Sequence, residues 1–494
     1  MTKAVERCDV LIVGGGPTGV TLAALLGQSG LSVLVVEKAA EIYPLPRAAH
    51  IDHETMRIFQ QIGIARRLMA TCRQADRYDF LNAKGKILLR FDGASAIGKG
   101  GWPAANMIHQ PSVEAALRDR VSEMPSVGMH CSTELVDYRD EGEGIVATVA
   151  HQGDRRQIQA RFLVGADGAR SPVRKMANIE FDDLGFEEPW LVVDALVKDP
   201  SRLPTSNLQI CDPERPTTCV LMGEGRHRWE FMIKPGEDPD EVSSDTSVAN
   251  MLKPWKVEGA ITIERTAVYT FRARVAREWR IGNVLLAGDA AHQAPPFAGQ
   301  GMCSGIRDAA NLSWKLAAVI NGHALPDLLD TYQTERDPNV RATIKMAIMM
   351  GRTVCTTNPL SAFLRDTKFR IARALNLTPD GPPAYPSISC GAIIAGSPGA
   401  GSYFPQPCAA NDAEIKLDDV LGSGPWLIAR SPIPTTTSMT AVNLDTPVIA
   451  PFRAALESWL GGQAAEAVLV RPDRYVFGTG AAHELVRRWE DATA

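Results

Sequence analysis

A glycine-rich turn near the amino terminus constrains the fold of this chain more than any other feature. The apolar run at residues 9–13 (DVLIV) leads directly into this turn, which reads GGGPTG at residues 14–19. A helix-forming segment follows, and a second apolar run at residues 31–36 ends in Glu37. This order predicts a strand, a tight turn, a helix and a second strand within about 30 residues, which is the βαβ unit of an α/β protein.

Each glycine of this unit has a physical reason to be there. Gly14 allows the tight turn, Gly16 lets the backbone approach a pyrophosphate, and Gly19 permits close packing of the helix on the strand. The helix start offers free N–H groups and partial positive charge to that pyrophosphate. Glu37 stands where a carboxylate hydrogen-bonds ribose hydroxyls, and it would repel a 2′-phosphate. The segment therefore predicts a site for FAD or NAD, and the alternative is a glycine turn without a ligand.

Two later segments repeat the pattern of an apolar strand that runs into an acidic turn. Residues 161–175 (RFLVGADGARSPVRK) contain Asp167, and the segment from residue 283 (NVLLAGDAAHQAPPFAGQGM) contains Asp289. Asp289 is placed to accept a hydrogen bond from a ribityl or ribose hydroxyl, although an N-cap is an equally simple explanation of an aspartate before two alanines. Gly299 and Gly301 would let the backbone approach a ligand at the start of a long helix.

Composition excludes several classes of function. Lys and Arg total 52 against 57 Asp and Glu, a formal net charge of −5, so no broad basic surface is available for nucleic acid. No apolar run approaches the roughly 18 residues of a membrane-spanning helix, and no signal-like segment precedes the first glycines. The nine cysteines include no C-x-x-C pair. We therefore expect a cytoplasmic enzyme with reduced thiols and no metal site.

In their order and separations, the three segments resemble the dinucleotide, DG and GD motifs of the flavin-dependent aromatic hydroxylases of the para-hydroxybenzoate hydroxylase and phenol hydroxylase type. The resemblance covers about residues 8–380. The segments PRA at residues 46–48, QPSVE at 110–114 and RWEFMIKPGE at 228–237 agree with it. The last of these looks especially like hydroxylases of 3-(3-hydroxyphenyl)propionate. The resemblance selects FAD as the cofactor.

The resemblance also implies a domain plan for this α/β chain. A Rossmann-like FAD-binding domain would comprise residues 1–180 and 281–380, and a substrate-binding β-sheet at 181–280 would be inserted into it. The run TPDGPPAYP at 378–386 would be a linker. Residues 387–494 would form a thioredoxin-like domain, since VLVRPDRYVFG resembles its closing strands. Because this domain lacks C-x-x-C, packing or homodimerisation is its expected role.

The implied reaction is the hydroxylation of a phenol ortho to its hydroxyl group by O2 and NADH or NADPH, through a flavin C4a-hydroperoxide. A second interpretation keeps FAD but assigns a polycyclic or polyketide substrate, with hydroxylation, epoxidation or Baeyer–Villiger oxidation. A third is a binding protein that has lost its flavin. The intact Gly16, Glu37, Asp167 and Asp289 disfavour that third interpretation.

The resemblance assigns candidate residues to each task. His50 is the candidate general base, because a neutral imidazole with a pKa near 6.5 can accept a phenolic proton; a helix cap or a metal cluster with Asp52 and His53 are its alternatives. Pro295 and Pro296 would form a dry wall beside the flavin ring. His227, Tyr269 and Arg272 are candidate substrate contacts. The expected cofactor contacts are Gly14, Gly16, Pro17, Thr18, Gly19, Glu37, Lys38, Arg47, Gln110, Asp167, Asp289, Pro296, Gly299, Gly301 and Met302.

Overall fold

The computed structural model describes residues 5–378, 385–430, 433, 436 and 438–493. Most of the expected linker at 378–386 lies outside the described residues. The amino-terminal part begins with the predicted strand, helix and strand. Its elements are β1 (Glu6–Val13), α1 (Pro17–Gln28), β2 (Val33–Val36), β3 (His50–Asp52), α2 (His53–Ile62), α3 (Ala65–Met69), β4 (Arg77–Asn82), β5 (Ile87–Asp92), β6 (Ala105–Met107), α4 (Gln110–Ser122), β7 (Val127–His130), β8 (Thr133–Asp140), β9 (Ile145–His151), β10 (Asp154–Gly165) and α5 (Pro172–Met176).

The middle part consists of long strands followed by long helices. Its elements are β11 (Phe181–Val197), β12 (Asn207–Cys211), β13 (Thr217–Leu221), β14 (Arg226–Met232), α6 (Pro239–Val242), α7 (Asp245–Leu252), β15 (Ile261–Ala276), β16 (Arg280–Ile281), β17 (Val284–Leu286), β18 (His292–Gln293), α8 (Gly301–Ile320), α9 (Asp330–Val354) and α10 (Pro359–Ala374).

The carboxyl-terminal part is a smaller unit with a sheet of its own. Its elements are β19 (Cys408–Ala409), β20 (Asp412–Lys416), α11 (Leu417–Leu421), β21 (Trp426–Ala429), β22 (Thr440–Asn443), α12 (Arg453–Gly462), β23 (Ala467–Val470), β24 (Val476–Gly480) and α13 (Ala482–Thr493).

The first sheet has the central strand order β16-β17-β10-β1-β2-β7. Strands β17, β10, β1, β2 and β7 run parallel, and β8 and β9 extend the sheet through the antiparallel pairing of β9 with β10. Strand β1 is fully buried from Val10 to Val13, as expected for a strand covered on both faces. Every residue of α1 from Gly19 to Leu26 is buried, so this helix is internal. The predicted α/β fold class is confirmed.

The second sheet has the order β18-β15-β11-β14-β13-β12-β4-β5. A sheet was predicted within residues 181–280, and strands β11 to β15 lie in that range. The structure adds β4 and β5 from the amino-terminal part, joined through the parallel pairing of β4 with β12, and β18 at the other edge. One face of this sheet covers a separate apolar core that includes Leu191, Val193, Trp229 and Phe231. Residues of its other face line a cavity that also borders the first sheet.

The carboxyl-terminal sheet has the order β22-β21-β23-β24, with β21 and β22 parallel and the other pairs antiparallel. Trp489 of α13 packs on Trp314 of α8, with 5.7 Å between ring centroids. Buried ion pairs join the units, and Arg57 of α2 contacts Asp418 of α11 at 2.6 Å. The carboxyl-terminal unit therefore packs against α2 and α8 of the α/β part. Its thioredoxin-like character stays a prediction.

Candidate active site

One large cavity lies between the two main sheets, with a volume of about 1230 Å³. Its floor is the edge where the parallel strands β1, β10 and β17 end, which is where open α/β sheets bind ligands. Its roof is the inner face of the second sheet. The volume exceeds the roughly 300–1,000 Å³ of a typical small-molecule pocket, so it can hold a dinucleotide together with a substrate.

The glycine turn at the floor of the cavity has the geometry that its sequence predicts. Gly14 has a φ of +112°, and a Cβ at this position would lie 2.3 Å from the carbonyl oxygen of Ala166. A Cβ at Gly19 would lie 2.0 Å from the carbonyl oxygen of Gly14, so close packing of α1 requires glycine there. A Cβ at Gly16 would meet open space, and Gly16 lines the cavity. The backbone at Gly16 is therefore open to a ligand.

Glu37 is held rigidly at the end of β2. One carboxylate oxygen accepts a hydrogen bond from the Gly15 N–H at 2.7 Å, and the other accepts one from the Ala39 N–H at 2.8 Å. The carboxylate lines the cavity with Lys38 beside it. Because each carboxylate oxygen has two acceptor sites, Glu37 can still accept hydrogen bonds from ribose hydroxyls.

The two acidic turns present unused acceptors to the same cavity. Asp167 accepts a hydrogen bond from the Val173 N–H on one oxygen, while its buried Oδ1 has no partner within the described residues. Asp289 lies inside the short 3-10 helix Gly288–Ala290, whose N-cap is Ala287, so the N-cap explanation of Asp289 is wrong. Burial raises the pKa of both carboxyl groups. These acceptors, with the open backbone at Gly16, fit the hydroxyl-rich chain and the pyrophosphate of FAD.

The loop before β3 is held from two sides. The Gln110 Oε1 accepts hydrogen bonds from the backbone N–H of Arg47 at 3.1 Å and of Ala48 at 2.6 Å. From the second sheet, Arg228 donates to the carbonyl oxygens of Pro46 and Arg47 at 2.6 and 2.7 Å. Gln110 and Arg47 both line the cavity. Gln110 thus lies at the predicted cofactor cavity, and it also positions the loop that contains Arg47.

His50 stands in β3 and lines the cavity. Its Nδ1 lies 3.3 Å from the carbonyl oxygen of Gly299, and burial lowers its pKa below the ordinary value of 6.5. A neutral ring that donates from Nδ1 to this carbonyl leaves Nε2 as an acceptor. Nearby Asp52 caps α2 and forms an ion pair with Arg307, and the described residues contain no cluster suited to a metal ion.

The GD segment supplies the wall next to His50. Cavity-lining residues here are Pro296, Gly299, Gly301 and Met302. Pro295 is not among the lining residues; it is the extended N-cap of the 3-10 helix Pro296–Ala298. Pro296 thus meets the cavity itself, whereas the structure does not place Pro295 in the predicted wall.

The candidate substrate residues divide between the two faces of the second sheet. Tyr269 and Arg272 line the cavity, and Arg272 also pairs with Glu187 at 2.8 Å. His227 points to the other face, where its Nε2 lies 3.0 Å from the Cys219 Sγ and its ring contacts Trp229. The structure thus corrects the expected substrate contact of His227. Successive side chains of a strand alternate between faces, and here Arg228 and Glu230 face the cavity.

Comparison with known proteins agrees with this geometry. A family model described as an FAD binding domain matches residues 7–347. A probable NADH-specific resorcinol 4-hydroxylase of Rhodococcus jostii is 38% identical over 96% of this chain and 92% of that protein. A 3-(3-hydroxy-phenyl)propionate/3-hydroxycinnamic acid hydroxylase of Burkholderia cenocepacia is 34% identical over 95% of this chain and 93% of that protein.

The chain belongs to the flavin-dependent aromatic hydroxylases. It is an FAD-dependent aromatic monooxygenase. A solved structure of the flavin-dependent monooxygenase PieE in complex with FAD and substrate shares the fold of this hydroxylase, with a TM-score of 0.80 at 21% identity and 99% coverage of both chains. Within the described residues, the hydroxylase has no helix that could cross a bilayer.

A row of polar residues on the roof of the hydroxylase cavity was not predicted from the sequence. Thr218 Oγ1 donates to Gln209 Oε1 at 2.7 Å, Gln209 Nε2 donates to the Tyr78 hydroxyl at 2.5 Å, and that hydroxyl donates to the Phe297 carbonyl oxygen at 3.3 Å. Glu230 pairs with Thr218 across β13 and β14. The alternation of residues 226–232 could have placed Glu230 beside Arg228, but nothing local could have joined β4 to this row.

Proposed function

We propose that this hydroxylase adds one oxygen atom to a phenol at the position ortho to its hydroxyl group, using O2 and NADH or NADPH. The observation that carries this proposal is the position of His50. A neutral histidine with a free acceptor nitrogen lines the same cavity as the dinucleotide-binding turn and the inner face of the second sheet. A phenol on that face can reach a proton acceptor and the cofactor at once.

The relatives support both the substrate class and the reductant. The protein that is 38% identical is named as NADH-specific and as acting on resorcinol, and the 34% identical protein is named for hydroxyphenylpropionate and hydroxycinnamic acid. All of these substrates are phenols. The proposal therefore favours a single-ring phenol over a polycyclic substrate, and NADH over NADPH.

In this proposal, the protein binds the phenol, removes its proton and excludes water. His50 Nε2 accepts the phenolic proton, which makes the ring carbons more electron-rich. Bound FAD would supply the electrons and the activated oxygen. The aromatic rings of Trp190, Phe271 and Phe297 pack together beside the cavity, with 5.6 Å between the centroids of Trp190 and Phe297. Such a wall keeps water from the reacting centre.

The proposal is tested with purified FAD-loaded enzyme and a panel of phenols. We expect substrate-stimulated NADH oxidation and a product that is heavier by one oxygen atom and has a catechol ultraviolet spectrum. A ring-expanded or epoxide product would overturn the hydroxylation assignment.

The role of His50 is tested separately with His50→Ala. We expect product formation to slow by about 100-fold or more, while flavin reduction by NADH changes much less. Equal slowing of both half-reactions would remove His50 as the base. His323→Ala, outside the cavity lining, serves as the matched control.

The cytoplasmic location and the homodimer stay predictions, and the homodimer is measurable by light scattering.

A further inference from the structure

Glu230 is a buried carboxyl group that the proposed reaction does not use. The residue is 6% exposed and lines the cavity. Among the described residues, no hydrogen-bond donor reaches its carboxyl oxygens. The nearest cationic atom is the Arg228 Nη1, 3.7 Å from Oε1. Buried carboxyl groups are normally hydrogen-bonded, so a carboxyl group that faces a cavity without a donor is arranged for a ligand that brings one.

Arg228 cannot serve as the missing donor because its hydrogen bonds go elsewhere. Its Nε donates to Asp194 at 2.6 Å, and its Nη1 and Nη2 donate to the backbone carbonyls of Arg47 and Pro46. Its charge is likewise shared with Asp194, which is completely buried. The guanidinium is therefore not available to bind the carboxylate of a substrate.

The neighbouring polar side chains direct their donors away from Glu230. Thr218, its cross-strand partner, donates to Gln209, which donates to Tyr78, which donates to the Phe297 carbonyl. This row of hydrogen bonds therefore runs from Thr218 to the GD segment beside His50 and does not include the Glu230 carboxyl. Within the described residues, that carboxyl faces the cavity as an acceptor to which none of these side chains donates.

We propose that the Glu230 carboxyl binds a second hydroxyl group on the aromatic ring, so that the enzyme prefers a dihydroxybenzene to a phenol with a carboxylate side chain. The inference rests on the proposed phenol hydroxylation and assigns the substrate class of the same cavity. A ring hydroxyl supplies the missing donor. A carboxylate side chain would meet a like charge at Glu230, and the cation that the described residues place beside it, Arg228, is already paired.

The ionisation of Glu230 suits a neutral hydroxyl. Burial, opposed by the charge of Arg228 and reinforced by that of Asp194, raises the pKa of Glu230 to about 7. Among the described residues, Tyr78 also interacts electrostatically with Glu230, and burial raises the pKa of that phenol, which keeps it protonated. The ionised carboxylate accepts a charge-assisted hydrogen bond from the hydroxyl, which is stronger than the bond that a neutral amide at this position would accept.

The test compares KM values for benzene-1,3-diol, phenol and 3-(3-hydroxyphenyl)propionate. For the wild-type enzyme we expect the KM of the diol to be lower than that of either other compound by about tenfold or more. In Glu230→Gln, the KM of the diol should rise about tenfold, that of phenol should stay within about twofold, and that of the propionate should fall. Glu230→Asp, which retains the charge but shortens the side chain, should also weaken diol binding.

Glu188→Gln is the matched control, because Glu188 is a half-buried carboxyl group on the same sheet that does not line the cavity. Its three KM values should match the wild type. If the wild type hydroxylates these phenols with equal KM values, or Glu230→Gln leaves their ratios unchanged, the inference on Glu230 is overturned and the proposed function stands. If the FAD-loaded wild type hydroxylates no phenol, both are overturned.

Discussion

Replacing Arg228 by methionine tests how the second sheet supports the loop before β3, which contains Pro46 and Arg47. Arg228 is 4% exposed and forms an ion pair with Asp194, which is fully buried. Its two terminal nitrogens hold the carbonyl oxygens of Pro46 and Arg47. Methionine retains much of the apolar volume but removes the charge and all of these hydrogen bonds. The carboxylate of Asp194 then loses its main partner.

The expected loss can be worked out from these contacts. Breaking a buried ion pair by removing one partner costs about 3–5 kcal/mol, compared with about 1 kcal/mol for an average substitution. Arg265 should reduce this loss of stability, because its Nη1 lies 3.7 Å from Asp194 Oδ2 and donates to the Pro46 carbonyl at 3.0 Å. We therefore expect a loss near the lower end, about 3 kcal/mol. Arg47 lines the cavity, so the loss of the hydrogen bond to its carbonyl oxygen should also weaken FAD binding, by about fivefold.

The measurement is urea-induced unfolding followed by circular dichroism and by the fluorescence of released flavin. Arg277→Met is the control, because Arg277 forms ion pairs at the surface and its side chain is 58% exposed. Its midpoint of urea-induced unfolding should stay close to that of the wild type, because exposed ion pairs contribute little to stability. The double variant Asp194→Asn/Arg228→Met should be more stable than Arg228→Met alone, because it no longer buries the Asp194 carboxylate without its main partner. If Arg228→Met is as stable as Arg277→Met, the reasoning is refuted.

Two further predictions concern the cofactor turn and the candidate base. Gly14→Ala should yield a folded protein with little bound FAD, because the new Cβ would lie 2.3 Å from the Ala166 carbonyl oxygen; a normal flavin absorbance after purification would contradict this. For His50, a lowered pKa means that the ring stays neutral, and able to accept a proton, as the pH falls through 6.5. In the Glu230→Gln background, the acid limb of kcat/KM should therefore lie below pH 6.5, and a limb above that value would exclude His50 as its source.

The amino-acid sequence was sufficient to predict the cofactor side of the cavity. Gly14, Gly16 and Gly19 are constrained by contacts with backbone atoms of the same unit, and Glu37 follows a strand whose end lies beside them. Such short-range geometry is encoded in residue type and spacing. The acidic turns at Asp167 and Asp289 reach the same edge because parallel strands present their carboxyl ends together.

The substrate side could not be predicted in the same way. Which residues of β14 face the cavity depends on a one-residue offset, since neighbouring side chains point to opposite faces of a sheet. His227 was predicted to face the cavity, whereas the structure places Arg228 and Glu230 at the cavity. That offset is set by the cross-strand register with β11 and β13, which no local pattern specifies.

The sequence by itself thus determined the α/β class, the dinucleotide-binding turn and the family of this protein, because these depend on local backbone requirements. The contact between Tyr78 of β4 and Gln209 of β12, which are 131 positions apart in the chain, depends on the tertiary structure. Tertiary packing also placed Arg228 against the carbonyls of Pro46 and Arg47 and, within the described part of the chain, left the Glu230 carboxyl without a donor. The physical reason is that strand pairing and burial, which decide these contacts, are properties of the whole fold.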